Sequence, residues 1–148
     1  MMRIREMRSG DIPEVMLIEK ESFNDPWAEI HFYSELYLPV AITWVAVSTG
    51  KIAGYLCCWK IEDELHLNNI AVRRDVRRKG VAQKMMNKLI RLARDEGKRI
   101  ITLEVSDRNP AAIAFYEKNG FLREGFRPNY YEHDHANALI LTKHMETT

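Results

Sequence analysis

The stretch NNIAVRRDVRRKGVAQKMMNKLIRLAR, residues 68–94, joins an apolar strand to an amphipathic helix through a strongly basic turn. Backbone NH groups at a helix start have no partner within the helix and lie at the positive end of its dipole, so they attract anions. Gly80 lacks a Cβ and allows a ligand to approach the backbone closely. The stretch therefore predicts a strand–turn–helix unit that binds an anionic ligand, although a solvated basic helix start would show the same pattern.

Two common phosphate-binding motifs are excluded by the sequence of this turn. A P-loop needs a Gly-Lys-Ser/Thr sequence after an earlier glycine, and a dinucleotide fingerprint needs several glycines, whereas residues 68–94 contain Gly80 alone. The formal net charge of the whole chain is only +1. The positive charge is therefore local, which favours a discrete anionic ligand over a nonspecific coat of nucleic acid.

Hydrophobic periodicity and turn signals on both sides of this stretch predict further helices and strands. Upstream, we expect a short strand, two short helices and three antiparallel strands, in residues 3–7, 11–23, 27–38 and 41–72. Downstream, the helix that begins near Val81 should end at Gly97, and a strand, a helix and two closing strands should follow, in residues 99–105, 109–120, 121–127 and 139–143. The predicted fold class is mixed α/β, a sheet with helices on its faces.

Length and composition predict one folded domain over residues 1–148. A hydrophobic fraction of 46% and a charged fraction of 29% are typical of a globular chain, and 148 residues provide one core. No apolar run is long enough to span a bilayer, and the first residues contain no apolar segment of the signal-peptide type. Cys57 and Cys58 are adjacent, and neighbours seldom reach disulfide geometry. We therefore expect a cytoplasmic protein.

Three motifs in chain order resemble those of the GNAT family of N-acetyltransferases. The sequence VRRDVRRKGVA is similar to that family's acetyl-CoA loop, Q/R-x-x-G-x-G/A, with Arg77, Gly80 and Ala82 at the defining positions. NNIAV before it is like the fourth strand of the family, and NPAAIAFYEKNGF, residues 109–121, resembles its Asn-x-x-A-x-x-x-Tyr-x-x-x-Gly-Phe helix. The resemblance covers essentially the whole chain. It implies a mostly antiparallel sheet of about seven strands, with the fourth and fifth splayed apart, and about four helices.

The same resemblance implies acetyl-CoA as a cosubstrate and no metal. The pyrophosphate is expected on the backbone NH groups of the basic turn, which are those of Arg77, Arg78, Lys79, Gly80, Val81 and Ala82. The pantetheine arm is expected to pair with the free edge of the fourth strand as an additional strand, near Ile70, Ala71 and Val72. Asn109 and Tyr116 match family positions that contact the cofactor arm and face its sulfur.

Acetyl transfer to an amine needs a neutral nucleophile, stabilisation of charge at the carbonyl oxygen and a proton for the departing thiolate. Glu104 lies in an apolar strand, where a lone carboxylate is costly, and it matches the general-base position of the RimI branch, the ribosomal-protein-alanine acetyltransferases. Tyr116 matches the general acid of the family, and the backbone NH of Val72 is the candidate for polarising the carbonyl. A paired edge glutamate and a packing tyrosine are the structural alternatives.

Two segments resemble the parts of the RimI branch that flank the entrance for an extended peptide. They are ESFNDPWAEIHF, residues 21–32, and RPNYYEHDHANALIL, residues 127–141. The expected acceptor contacts are Phe23, Trp27, Tyr130 and Tyr131. The implied function is acetylation of a protein N terminus, that of an alanine in a small-subunit ribosomal protein. Acetylation of a small-molecule amine stays open on the same scaffold, as does a noncatalytic module that binds acyl-CoA or nucleic acid.

Histidines provide two weaker signals. His133 and His135 flank Asp134 in a polar segment, but further ligands for a closed metal site are missing from this pattern, so no metal is assigned. His66 lies in the strand before the proposed cofactor edge, where a histidine could assist proton transfer. Strand histidines are more often packed or solvated, and His66 is given no role.

Overall fold

The computed structural model describes residues 2–131 and 135–146. Its strands are β1 (Met2–Glu6), β2 (Ala41–Ser48), β3 (Lys51–Ile61), β4 (Glu64–Val72), β5 (Ile100–Ser106), β6 (Leu122–Arg127) and β7 (Ala138–His144). Its α-helices are α1 (Ile12–Ser22), α2 (Glu29–Leu36), α3 (Val81–Asp95) and α4 (Pro110–Lys118), with short 3₁₀ turns at Ser9–Asp11 and Arg74–Val76. Helix α2 begins two residues later than the apolar spacing predicts, because Ala28 is still extended and forms its N-cap. None of the helices in the described ranges is long and apolar enough to span a membrane.

The strands form one sheet in the order β1-β2-β3-β4-β5-β7-β6. Strands β4 and β5 are parallel, and every other neighbouring pair in this order is antiparallel. The prediction of a mixed, mostly antiparallel sheet is confirmed. Helices α3 and α4 pack on one face of the sheet, and α1 and α2 pack on the other.

The parallel pairing of β4 with β5 covers only Glu64–Leu67 and Ile100–Leu103. Beyond it, β4 continues along β3 as far as Val72, and β5 continues along β7 as far as Ser106. The splay between the fourth and fifth strands, implied by the family resemblance, is therefore present. It leaves one edge of β4 without a neighbouring strand.

A bulge in β4 accompanies the splay. Cys58 pairs with Leu67, whereas Cys57 pairs with Asn69, so Asn68 is the extra residue. Because one inserted residue reverses the alternation of a strand, the odd-numbered side chains change faces at this point. Leu67 lies in the cluster below α3, while Ala71 lies in the cluster below α1. The bulge therefore turns Asn69 towards α1.

Gly54 in β3 lies in a crowded position between β4 and α3. A Cβ at this position would lie 2.7 Å from the carbonyl oxygen of Ala71 and 3.1 Å from Cε of Met85. We expect Gly54→Ala to lower the free energy of unfolding by about 1–3 kcal/mol, because the backbone oxygen cannot give way cheaply. Gly10→Ala is the matched control, since nothing lies within 4 Å of its Cβ position. Urea unfolding that gives equal midpoints for the two variants would show that β3 and β4 have room to separate.

Candidate active site

A cavity of about 440 Å³ opens where β4 and β5 part. The predicted site residues that line it are Phe23, Trp27, Ile70, Glu104, Asn109, Tyr116 and Tyr131. Ala71 and Val72 are buried further along β4, and Tyr130 is 46% exposed beside the cavity. Residues 77–82 lie outside the lining, between the end of β4 and the first turn of α3.

The cavity passes through the sheet. Val105 is buried on the face that carries α3 and α4, so the neighbouring Glu104 points to the face that carries α1 and α2. Tyr116 belongs to α4 and is buried on the first of these faces. Both side chains line the same space, which means that a carboxylate and a phenol approach it from opposite faces of the sheet.

The free edge of β4 presents backbone groups to the gap left by β5. Arg73 donates its backbone NH to the carbonyl of Ala53 in β3 at 2.8 Å. Successive residues of a strand direct their backbone groups to opposite edges, so the NH and carbonyl of Val72 point away from β3. Nε of Arg77 donates to that carbonyl at 3.0 Å. The NH of Val72 thus points to the edge of β4 at which it is expected to polarise the carbonyl of the thioester.

The basic turn has the backbone geometry of an anion cradle. Gly80 is the N-cap of α3 with φ of +82°, and Arg78 has φ of +65°. Nothing lies within 4 Å of a Cβ at Gly80, so the positive φ and not crowding accounts for the glycine. The first bond of α3 runs from Lys84 N to the carbonyl of Gly80 at 3.0 Å, and the NH groups of residues 81–83 point out of the helix start.

The five cations of this turn divide into two groups. Those held by neighbouring protein groups are Arg73, Arg74 and Arg77. Arg77, for example, donates from Nη2 to Oγ of Ser22 at 3.0 Å. Arg78 and Lys79 are exposed and make no hydrogen bond or ion pair within residues 2–131 and 135–146. The charge available to a ligand therefore comes mainly from Arg78 and Lys79.

Glu104 has an incompletely paired carboxylate. Its side chain is 17% exposed, and Oε1 lies 3.5 Å from Nε2 of His66. Oε2 lies 3.9 Å from Nε of Arg127 and, among the described residues, accepts no hydrogen bond although it is buried. A buried oxygen without a donor is costly, and such groups occur at functional sites. His66, which was assigned no role from the sequence, is thus the histidine beside Glu104.

Tyr116 is 8% exposed and packs edge-on against the rings of Phe115 and Phe121, at centroid distances of 5.5 and 5.7 Å. Burial, with a smaller effect of Tyr131, raises the pKa of Tyr116 well above its ordinary value. The phenol therefore stays protonated at any pH at which the protein would be assayed. An ordinary phenol has a pKa of about 10, which is fairly close to the pKa of about 8.5 for a thiol. Burial widens the difference between the pKa of Tyr116 and that of the thiol. Tyr116 is therefore better suited to donating a hydrogen bond than to transferring its proton completely.

The two expected acceptor tyrosines contact each other, with ring centroids 5.1 Å apart in an edge-to-face arrangement. Tyr131 lines the cavity, and the guanidinium of Arg127 lies 5.7 Å from the ring centroid of Tyr130. Burial and the nearby charge of Glu104 raise the pKa of Tyr130. Tyr130 is therefore neutral, and its edge-to-face contact with Tyr131 places two amphipathic rings side by side, which suits contact with a peptide backbone.

On the opposite wall, the ring of Trp27 stacks on that of His31 and tilts against that of Phe32, with ring centroids 4.0 and 5.1 Å apart.

Asn109 caps α4, because its Oδ1 accepts a hydrogen bond from the backbone NH of Ala112 at 3.2 Å. Its Nδ2 makes no hydrogen bond within the part of the chain that the structure describes, and it is available to a ligand. The predicted cap is confirmed.

Sequence reasoning missed Glu19, which also lines the cavity and is 1% exposed. Its carboxylate accepts hydrogen bonds from the hydroxyl of Tyr55, from Nδ2 of Asn69 at 2.6 Å and from the backbone NH of Trp27 at 2.8 Å. Burial raises the pKa of Glu19, and the three hydrogen bonds act in the opposite direction. The available signal was its position, since Glu19 follows Ile12 at the spacing of the buried face of α1.

Within residues 2–131 and 135–146, no group of three or more histidine, cysteine and acidic side chains is arranged to hold a metal ion. His133 and Asp134 of the weak metal pattern lie outside the described residues.

Residues 12–121 match the model of the Acetyltransferase (GNAT) family. The chain is 35% identical over 131 residues to the [ribosomal protein bS18]-alanine N-acetyltransferase of Escherichia coli (strain K12), with 86% of each chain covered. It superposes on the crystal structure of the ribosomal-protein-S18-alanine N-acetyltransferase from Escherichia coli with a TM-score of 0.92 and 30% identity, covering 100% of this chain and 96% of the other. Ard1 from Thermoplasma volcanium superposes with a TM-score of 0.90 and 27% identity, with 99% of each chain covered.

Proposed function

The chain belongs to the GNAT family of acetyltransferases, and from its similarity to the bS18-alanine enzyme of Escherichia coli we propose that it transfers the acetyl group of acetyl-CoA to the N-terminal alanine of a ribosomal protein of the bS18 type. The observation that carries this proposal is the placement of Glu104 and Tyr116 on opposite sides of one cavity at the parting of β4 and β5. A carboxylate and a protonated phenol are the base and acid that the reaction needs.

The residues of the cleft fit acetyl-CoA. The NH groups of residues 77–82 and the side chains of Arg78 and Lys79 would hold its pyrophosphate. The free edge of β4 from Ile70 to Val72 would pair with the pantetheine arm, and Nδ2 of Asn109 would bind it from the other side. When bound, acetyl-CoA supplies the acetyl group as an activated thioester.

The acceptor amine enters from the face of the sheet that carries α1 and α2. Phe23 and Trp27 form one wall of that entrance and Tyr131 the other, with Tyr130 at the rim. Oε2 of Glu104 takes a proton from the α-ammonium group, directly or through a water molecule, and leaves a neutral nucleophile. The Val72 NH points to the edge where it can stabilise negative charge on the carbonyl oxygen. Tyr116, on the far face, donates a hydrogen bond to the leaving sulfur.

The test is acetylation of short peptides that differ only in their first residue, monitored by mass spectrometry with acetyl-CoA in excess. We expect the acetyl mass on the peptide that starts with alanine. Acetylation of polyamines or aminoglycosides in preference to every peptide would contradict the proposal and indicate an enzyme that acts on small molecules.

In thermal melts, acetyl-CoA and coenzyme A should raise the Tm, whereas duplex DNA should not. We place the enzyme in the cytoplasm, where its proposed substrate is made.

The exposed charges of the turn provide a further prediction. The variant Arg78→Gln with Lys79→Gln should raise the Kd for acetyl-CoA about three- to tenfold at low salt, because two cations that face the pyrophosphate are removed. The difference from wild type should shrink at high salt, because the ions screen exposed charges. Isothermal titration calorimetry measures both effects. The control, Arg91→Gln with Arg94→Gln, removes two exposed charges from the same helix, at least about 15 Å from Val81. Equal Kd values for the two variants would contradict this prediction.

A further inference from the structure

Glu19 joins three separate parts of the fold through one buried carboxylate. Trp27 belongs to the segment between α1 and α2, Tyr55 belongs to β3, and Asn69 follows the bulge residue of β4. Glu19, Trp27 and Asn69 all line the cavity. The carboxylate therefore connects the wall of the acceptor entrance to the strand that lies along the proposed cofactor site.

The bond from Asn69 to Glu19 depends on the bulge. If the strand alternated regularly through Asn68, with no bulge, the side chain at position 69 would share the face of Leu67, below α3, and could not reach α1. The 2.6 Å contact between Nδ2 of Asn69 and Oε1 of Glu19 thus holds β4 in its bulged register. The other oxygen, Oε2, binds the backbone NH of Trp27. The two oxygens of one carboxylate fix the bulge and the entrance segment relative to each other.

Stability alone is a weak reason to keep a charge in this position. A buried carboxylate is desolvated, and well-packed apolar side chains of similar volume are often at least as stabilising. Glu35 provides a comparison within the same chain: it is 3% exposed and accepts from Nε1 of Trp59 at 2.9 Å. Glu35 borders a different cavity, which shares none of its lining residues with the cleft. Among the carboxylates of the described residues, Glu19 alone is both buried and part of the wall of the cleft.

We propose that Glu19 is a positioning residue for the acceptor: its carboxylate couples the segment between α1 and α2 to the bulge of β4 and so sets the geometry of the acceptor entrance. This inference rests on the proposed function and deepens it. None of the three hydrogen bonds to Glu19 comes from the pyrophosphate cradle at residues 77–82, so we expect loss of this carboxylate to weaken acceptor binding more than cofactor binding.

The test compares Glu19→Gln with Glu35→Gln. A glutamine amide has one acceptor oxygen in place of two, so at least one donor to position 19 loses its partner. We expect Glu19→Gln to raise the KM for the acceptor peptide about tenfold, with kcat less affected and the Kd for acetyl-CoA within twofold of wild type. Glu35→Gln, which makes the same chemical change at similar burial, should leave all three constants near wild type.

A second variant keeps the inference testable if Glu19→Gln folds poorly. Asn69→Ala removes the same coupling from the β4 side, and we expect a similar rise in acceptor KM. The double variant should be no worse than either single variant, because both remove one interaction. An acceptor KM that stays at the wild-type value in an active, folded Glu19→Gln enzyme overturns the inference alone. An equal rise for Glu35→Gln also overturns it, because the effect would then be general loosening. Wild-type enzyme that acetylates no peptide overturns the proposed function, and the inference with it.

Discussion

Replacing Glu104 with glutamine is expected to lower kcat/KM for peptide acetylation by a factor of about 10²–10⁴ near neutral pH. Glutamine keeps the size of the side chain and one hydrogen-bond acceptor, but it cannot take up a proton from the amine. In the wild-type carboxylate, Oε2 is buried and accepts no hydrogen bond from the described residues, so it is available to take up that proton. Steady-state kinetics with an alanine-initiated peptide measure this loss.

The loss should depend on pH in one direction. An α-amino group has a pKa of about 7.7–8.0, so below this range the acceptor arrives as ammonium and must lose its proton in the cleft. Above this range it arrives neutral and needs the base less. The ratio of wild-type to Glu104→Gln activity should therefore be largest at low pH and fall as pH rises. A ratio that is constant across the pH range would remove Glu104 from the role of base.

The control for this variant is Glu124→Gln. Glu124 lies on β6 in a half-exposed contact with His144, at 2.7 Å, and does not line the cleft. The Glu124→Gln variant removes one carboxylate charge, as Glu104→Gln does, and we expect its activity to stay near wild type at every pH. Parallel losses in the two variants would point to the overall charge of the protein, and not to proton transfer in the cleft.

The elements of the cleft that depend on local sequence could be predicted. The apolar run, basic turn and amphipathic face in residues 68–94 became β4, the turn and α3, because capping and periodicity act within a few residues. The start of α4 followed in the same way from Asn109 and Pro110. The splay of β4 from β5 was implied by the resemblance alone, since no local pattern specifies where a parallel pairing ends.

The interactions that sequence reasoning missed are all nonlocal. Glu19 and Asn69 are 50 residues apart in the chain, and only the bulge at Asn68 brings them to one face. His66 and Glu104 meet because β4 and β5 are parallel neighbours up to Leu67. The raised pKa of Tyr116 likewise depends on burial, which one residue in a helix pattern does not reveal. The sequence and its family resemblance thus predicted which side chains do chemistry, and the fold determines how those side chains are held.

Replacing Tyr116 with phenylalanine should lower kcat by about 10²-fold and leave the Kd for acetyl-CoA within twofold of wild type. The phenyl ring keeps the contacts with Phe115 and Phe121, so only the hydroxyl is lost. Unlike the effect at Glu104, this loss should be the same at every pH between about 6 and 9, because burial raises the pKa of Tyr116 and keeps it protonated throughout. Tyr37→Phe, which removes the same atom from a side chain that is 81% exposed, is the control.

Acetyl donors with different leaving thiols test the role of Tyr116 more directly. A more acidic thiol leaves without much assistance, so the deficit of Tyr116→Phe should shrink as the pKa of the leaving thiol falls. A hydroxyl that only packs against its neighbours would give a deficit that does not change with the donor. Because burial raises the pKa of Tyr116 far above that of coenzyme A, the dependence should be shallow, as expected for a donated hydrogen bond. A steep dependence would instead indicate complete proton transfer, and unchanged turnover would remove Tyr116 from the mechanism.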